Sequence, residues 1–212
     1  MSNSLPNPRF LYRGDSDRKN ERKLRETISS GVLLTNLSNG GNGKEIFTSD
    51  FNQLINKHIG IGWSKTHFLS FTANEDKAFY YASESAVYEE IYDFHEKWDF
   101  SILTFDFSTL LQETIREYSK GLYYAEFLPT CKEFYPRFKI LLVDSFEYLK
   151  NKYDSKSDFQ QAILNAERDN EWLILPLNYF GFTGELTSKL DNNCITEKRI
   201  FREMKNATQH HV

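Results

Sequence analysis

The stretch His67-Phe68-Leu69-Ser70-Phe71-Thr72-Ala73-Asn74-Glu75 restricts the fold more than any other part of the chain. An apolar and aromatic run of strand type ends at Thr72, and Thr72-Ala73-Asn74-Glu75 matches a capping box, with Thr72 as N-cap and Glu75 as its N3 partner. A strand that passes so quickly into a capped helix predicts a mixed architecture. It also sets Ser70 and Thr72 at a strand end, where backbone and hydroxyls face a cleft. The helix that follows has Asn74, Glu75 and Asp76 in its first turn and sets Ala78, Tyr81, Ala82 and Ser85 along one face.

The remaining segments read the same way. Phe10-Leu11-Tyr12-Arg13 is a short strand closed by Gly14-Asp15-Ser16, and residues 17–30 form a helix with Leu24 and Ile28 on one face and Gly31 just beyond it. That helix carries Arg18, Lys19, Arg22, Lys23 and Arg25 among Glu21 and Glu26, the pattern of a solvated face. Residues 51–58 form a further helix, with Leu54, Ile55 and His58 near one side. Ile102 to Phe107 and Ile140 to Val143 alternate or run apolar as strands, and Ser157-Asp158 caps a helix whose stripe is Phe159, Ile163 and Ala166. Glu171-Trp172-Leu173-Ile174-Leu175-Pro176 is a strand that opens on a carboxylate, and Ile195, Ile200, Phe201 and Met204 predict a last strand or helix that packs back. Short strands interspersed with helices, with no repeat and no long linker, give an α+β fold in one domain over residues 1–212.

Composition limits the alternatives. A chain of 212 residues can bury about 70 % of its unfolded surface around one core. Its 18 Phe, 12 Tyr and 3 Trp against 10 Gly and 5 Pro exclude a disordered or collagen-like chain. No run approaches the roughly 18 apolar residues of a membrane span. The first residues lack the pattern of an export or organelle signal, so the expected location is the cytoplasm, or a target cell reached without a readable signal peptide. A net charge of −4 disfavours general nucleic-acid binding, which positive charge drives. Cys131 and Cys194 read as free thiols, and the five histidines have no metal-ligand spacing, so no metal is expected. The glycine loop at residues 39–43 is not followed by Lys-Ser or Lys-Thr, and no Gly-x-Gly-x-x-Gly follows a strand, which excludes P-loop and Rossmann readings.

Three fragments remain, Tyr12-Arg13-Gly14 on the first strand, Ser70-Phe71-Thr72 in the middle and Asp169-Asn170-Glu171-Trp172 late. Their order and chemistry resemble the Arg, Ser-x-Ser/Thr and Glu-x-Glu signature of mono-ADP-ribosyltransferases of bacterial and phage toxin or effector type. The position two before the catalytic Glu is commonly Glu or Gln in that family and is Asp169 here. The resemblance implies two small packed β-sheets around an NAD cleft with flanking helices. It implies Glu171, Arg13, Ser70 and Asp169 as catalytic residues, and Tyr12, Arg13, Gly14, Ser70, Phe71, Thr72 and Tyr81 as the NAD-binding set.

The roles follow from the chemistry of breaking the nicotinamide–ribose bond. Glu171 would bind the ribose 2′-hydroxyl and stabilise positive charge on the sugar, and Ser70 would hold that carboxylate. Arg13 would pair with phosphate through its planar fork. Gly14, lacking a Cβ, would approach the nicotinamide amide, and Asp169 would orient or deprotonate the acceptor. Phe71, Tyr80 and Tyr81 would enclose nicotinamide or ribose, with two of the three expected in the core, and Phe68, Phe79 and Trp172 flank the same motifs. The implied partners are NAD as substrate, a macromolecular acceptor with protein preferred over nucleic acid, and an antitoxin or inhibitor. Water as acceptor, nucleic-acid modification with the basic helix as footprint, and a non-catalytic interaction module are the alternatives.

Overall fold

A computed structural model of the chain describes residues 7–16, 33–34, 51–61, 68–85, 87–89, 95–97, 99–112, 114–115, 140–153, 157–176, 189–190 and 195–201. In chain order the elements are β1 (Phe10–Ser16), β2 (Leu33–Leu34), α1 (Phe51–Gly60), β3 (Leu69–Thr72), α2 (Glu75–Ser85), β4 (Val87–Glu89), β5 (His95–Lys97) and β6 (Phe100–Asp106). They continue with α3 (Phe107–Gln112), β7 (Thr114–Ile115), β8 (Ile140–Asp144), α4 (Ser145–Tyr153), a single 3-10 turn (Ser157–Phe159), α5 (Gln160–Asp169), β9 (Glu171–Pro176), β10 (Lys189–Leu190) and β11 (Ile195–Phe201). The architecture is mixed, with an open and largely antiparallel sheet and a few helices. The expected helix at 17–30, the glycine loop at 39–43, both cysteines and Met204 lie outside the described residues. No helix among the described residues is long and apolar enough to cross a membrane.

Instead of two separate small sheets, one seven-stranded sheet of order β11-β6-β1-β3-β9-β8-β7 carries the described core, and β2–β10 and β4–β5 form two-stranded ribbons. Its continuity is uneven. β1 pairs with β6 along its whole length, from Phe10↔Asp106 to Ser16↔Phe100, but meets β3 through one residue pair, Tyr12↔Thr72. The sheet is therefore pinched between β1 and β3, which leaves strand groups of β3 open to side chains. Pairing with β6 also carries β1 straight through Gly14 and Asp15, where the sequence predicts its end.

Alternation sorts the side chains onto two faces. Leu11, Leu69, Phe71, Leu103, Phe105, Trp172 and Ile174 join Phe107 and Leu110 of α3 in one core. On the other side Ala78 and Ala82 of α2 pack with Ile102, Tyr12, Phe100 and Phe201. A Cβ on Gly14 would lie 2.2 Å from the Ala78 carbonyl oxygen and 2.7 Å from Ala82 Cβ. The glycine thus lets α2 lie directly on β1.

The junction from β3 into α2 also differs from a capping box. Asn74 Oδ1 accepts the Asp76 amide at 2.9 Å, so Asn74 caps the helix, while Thr72 Oγ1 accepts the Asn74 amide at 3.0 Å one turn earlier. Glu75 pairs with Arg199 of β11 rather than turning back to a cap. Both Asn and Thr are strong capping types, and β3 holds Thr72 in extended register, leaving the cap to Asn74.

Candidate functional site

The pinch between β1 and β3, roofed by helices, forms a cleft of about 510 Å³. All nine residues singled out in the sequence line it: Tyr12, Arg13, Gly14, Ser70, Phe71, Thr72, Tyr81, Asp169 and Glu171. Residues up to 159 positions apart are thus brought to one place. They share it for simple reasons of register. Thr72 pairs with both Tyr12 and Glu171, so β1, β3 and β9 present that level of the sheet together, with Ser70 two residues along.

Arg13 sits in the gap left by the single β1–β3 pair. Its Nη1 donates to the Ser70 carbonyl at 2.9 Å. Its Nε and Nη2 donate to Asp15 Oδ2 and Oδ1 at 2.8 and 2.9 Å, a bidentate pair with Asp15 only 3 % exposed. Asp15 was not singled out in the sequence. The signal was present, since residues i and i+2 share a strand face, but ending the strand at Gly14 concealed it. Among the described residues, three of the five guanidinium N–H groups are engaged this way.

Glu171 opens β9 at the cleft floor. Burial pushes its carboxyl up to about 7; a hydrogen bond from the Ser70 hydroxyl opposes that rise, the Asp169 charge adds to it, and the Arg168 charge opposes it. The carboxyl is therefore poised to change charge near neutrality. Ser70 Oγ also lies 2.8 Å from Nε2 of His58, which α1 presents to the cleft and whose ring meets Phe68 edge-on at 5.7 Å. His58 was legible only as one side of an amphipathic helix; its contact with β3 depends on tertiary packing.

The helix end before β9 is set by Asn170, which adopts φ 45° and donates its amide to Ala166 and Glu167 carbonyls. Asparagine tolerates this left-handed turn better than most residues. The reversal brings Asp169 back over the cleft, where Thr72 Oγ1 donates to its carbonyl at 2.6 Å. The Asp169 carboxylate is engaged by its neighbours. Arg168 Nε and Nη2 hold its two oxygens at 2.9 and 2.6 Å, Tyr81 donates at 2.8 Å, and Lys77 lies 3.7 Å away. Burial works to raise the Asp169 carboxyl, and these donors and positive charges outweigh it, so it titrates below the usual range. Burial and the Asp169 partner push the Tyr81 phenol up.

The aromatic residues divide differently from the expectation. Phe71 packs 4.8 Å from Phe105, and Trp172 packs 5.0 Å from Phe107, both rings in the core. Phe68 is buried, and Phe79 packs edge-on against Phe100 and Phe201. Tyr80 and Tyr81 are instead exposed, 54 % and 43 %, so one of the three proposed stacking rings is core rather than two. Among the described residues no three His, Cys, Asp or Glu side chains form a metal-binding group. No protein-family model, no curated protein and no solved structure matches this chain.

Proposed function

We propose that this protein is a mono-ADP-ribosyltransferase, which takes NAD as substrate and transfers ADP-ribose to a macromolecular acceptor, most simply a protein side chain. The observation that carries the reading is the meeting of Arg13, Ser70 and Glu171 in one cleft, with the Ser70 hydroxyl on the Glu171 carboxylate and the Arg13 guanidinium on the Ser70 carbonyl. The cleft volume lies within the roughly 300–1,000 Å³ of small-molecule sites.

The chain's own residues then have definite tasks. Ionised Glu171 accepts the ribose 2′-hydroxyl and stabilises the positive charge that develops at C1′ as the C1′–N bond breaks and nicotinamide leaves with the bonding pair. Ser70 fixes the carboxylate. Arg13 pairs with phosphate, and Asp15 keeps the guanidinium from turning. Tyr81 contributes an exposed ring at the rim. Asp169 holds the rim together with Arg168 and Tyr81 and is not the acceptor's base in this arrangement.

The acceptor class is tested by incubating the protein with NAD labelled in the adenosine half and a cell lysate, then treating portions with protease or nuclease. Label removed by protease and resistant to nuclease is expected. Label that survives protease and vanishes with nuclease would replace the protein acceptor with nucleic acid.

A further inference from the structure

His58 lines the cleft and contacts Ser70 without belonging to any of the three fragments. It comes from α1, a helix whose Leu54 and Ile55 are wholly buried, so its backbone position is fixed by packing. The ring edge against Phe68 fixes its plane, and Nε2 then falls 2.8 Å from Ser70 Oγ. Ser70 is therefore flanked by His58 on one side and Glu171 on the other.

A serine hydroxyl has one proton to give. Given to the Glu171 carboxylate, it is not available to His58, and the 2.8 Å contact then requires the imidazole to donate from Nε2. Given to a lone pair of His58 Nε2, it leaves the carboxylate unsupported. The two directions belong to opposite imidazole tautomers, so the state of His58 and the charge of Glu171 are linked through one hydroxyl.

We infer that His58 is a positioning residue of the cleft, whose Nε2–H held on Ser70 Oγ commits the serine proton to Glu171 and so keeps that carboxylate aimed and ionised. Among the described residues, the other charged and titratable groups lining the cleft are Asp169 and Arg168 from α5, Tyr12 and Arg13 from β1 and Tyr81 from α2. None of these contacts Ser70 Oγ in the hydrogen bonds described, which leaves the direction of the hydroxyl to His58. The inference deepens the ADP-ribosyltransferase reading in its catalytic consequence, but its structural part stands without it.

The test therefore has two readouts. The first is an NMR titration of the Glu171 side-chain carboxyl in the full chain, together with the ¹⁵N shifts of the His58 ring. The second is nicotinamide release from NAD across pH 5.5–9. The variants are His58→Phe, which keeps a ring against Phe68 and loses the donor, and His58→Gln, whose amide can donate from a similar position.

In the wild type at pH 8.5 the ring proton is expected on Nε2. His58→Phe should move the Glu171 midpoint up by about half a pH unit or more and lower kcat at pH 7 at least about twofold. The rate should return toward wild type at pH 9, and KM for NAD should stay within twofold. His58→Gln should restore both the midpoint and the rate. A proton on Nδ1 alone in the wild type, an unmoved Glu171 midpoint in His58→Phe, or equal behaviour of the two variants would overturn the inference. A wild type that releases no nicotinamide would instead remove the enzymatic reading, while the titration and the tautomer still decide the role of His58.

Discussion

Replacing Glu171 by Gln should make the protein more stable at high pH and leave it nearly unchanged at low pH. The carboxyl titrates near 7 in the folded chain against an ordinary 4.5, chiefly because burial disfavours its charge. The folded state therefore binds the proton more tightly than the unfolded chain does. Stability from this group is fully present below about pH 4.5 and is lost as pH rises through 7. At about 1.4 kcal/mol per pKa unit, the loss amounts to a ceiling of about 3 kcal/mol. Residual contact with solvent in the cleft reduces it, so about 1–3 kcal/mol is the expected range. Guanidinium unfolding of wild type and Glu171→Gln at pH 4.5 and pH 9 measures it directly, because the other titrating groups are common to both proteins. A stability difference that is the same at the two pH values would refute the reasoning. The expected gain in stability at the expense of a charged group is what a site shaped for a ligand rather than for folding would give.

Two further substitutions test how the cleft is built. Gly14→Ala pushes a methyl onto the Ala78 carbonyl and should destabilise by about 1–3 kcal/mol in urea unfolding, and the displaced α2 should carry Tyr81 away from Asp169 and return its phenol titration toward 10; an unchanged midpoint of unfolding would contradict the packing. Asp15→Asn removes the charge that holds Arg13 and should lower stability by about 3 kcal/mol and weaken NAD binding by at least tenfold in calorimetry, whereas wild-type affinity would show that Arg13 needs no such support.

Much of the scaffold was written locally. β9 begins and ends where the carboxylate-led apolar run does, and α1 and α2 pack through Leu54 and Ile55 and through Ala78 and Ala82 of the stripes read in the sequence, because each pattern reports one packed face. What escaped was set by partners distant in the chain. Gly14 looks like a strand end by itself and is held in β1 by β6 on one side and α2 on the other. Thr72 reads as the cap from the sequence, and register with β9 holds it extended and leaves the cap to Asn74. The rings of Phe71 and Trp172 turn to the core because their strands alternate, so of each motif only the neighbours on the cleft side are exposed to a ligand. The same alternation brings Ser70 and Glu171 together and makes the core site legible, while Asp15 and His58 needed the pairing of β1 and the docking of α1.

The central claim is that Glu171 acts on NAD, and release of nicotinamide from NAD by purified wild type and Glu171→Ala tests it most directly. The account predicts measurable release by the wild type and a fall of at least about a hundredfold in the variant, the scale of losing one electrostatic stabiliser of a transition state. Equal rates in the two, or no release by a correctly folded wild type, would contradict it.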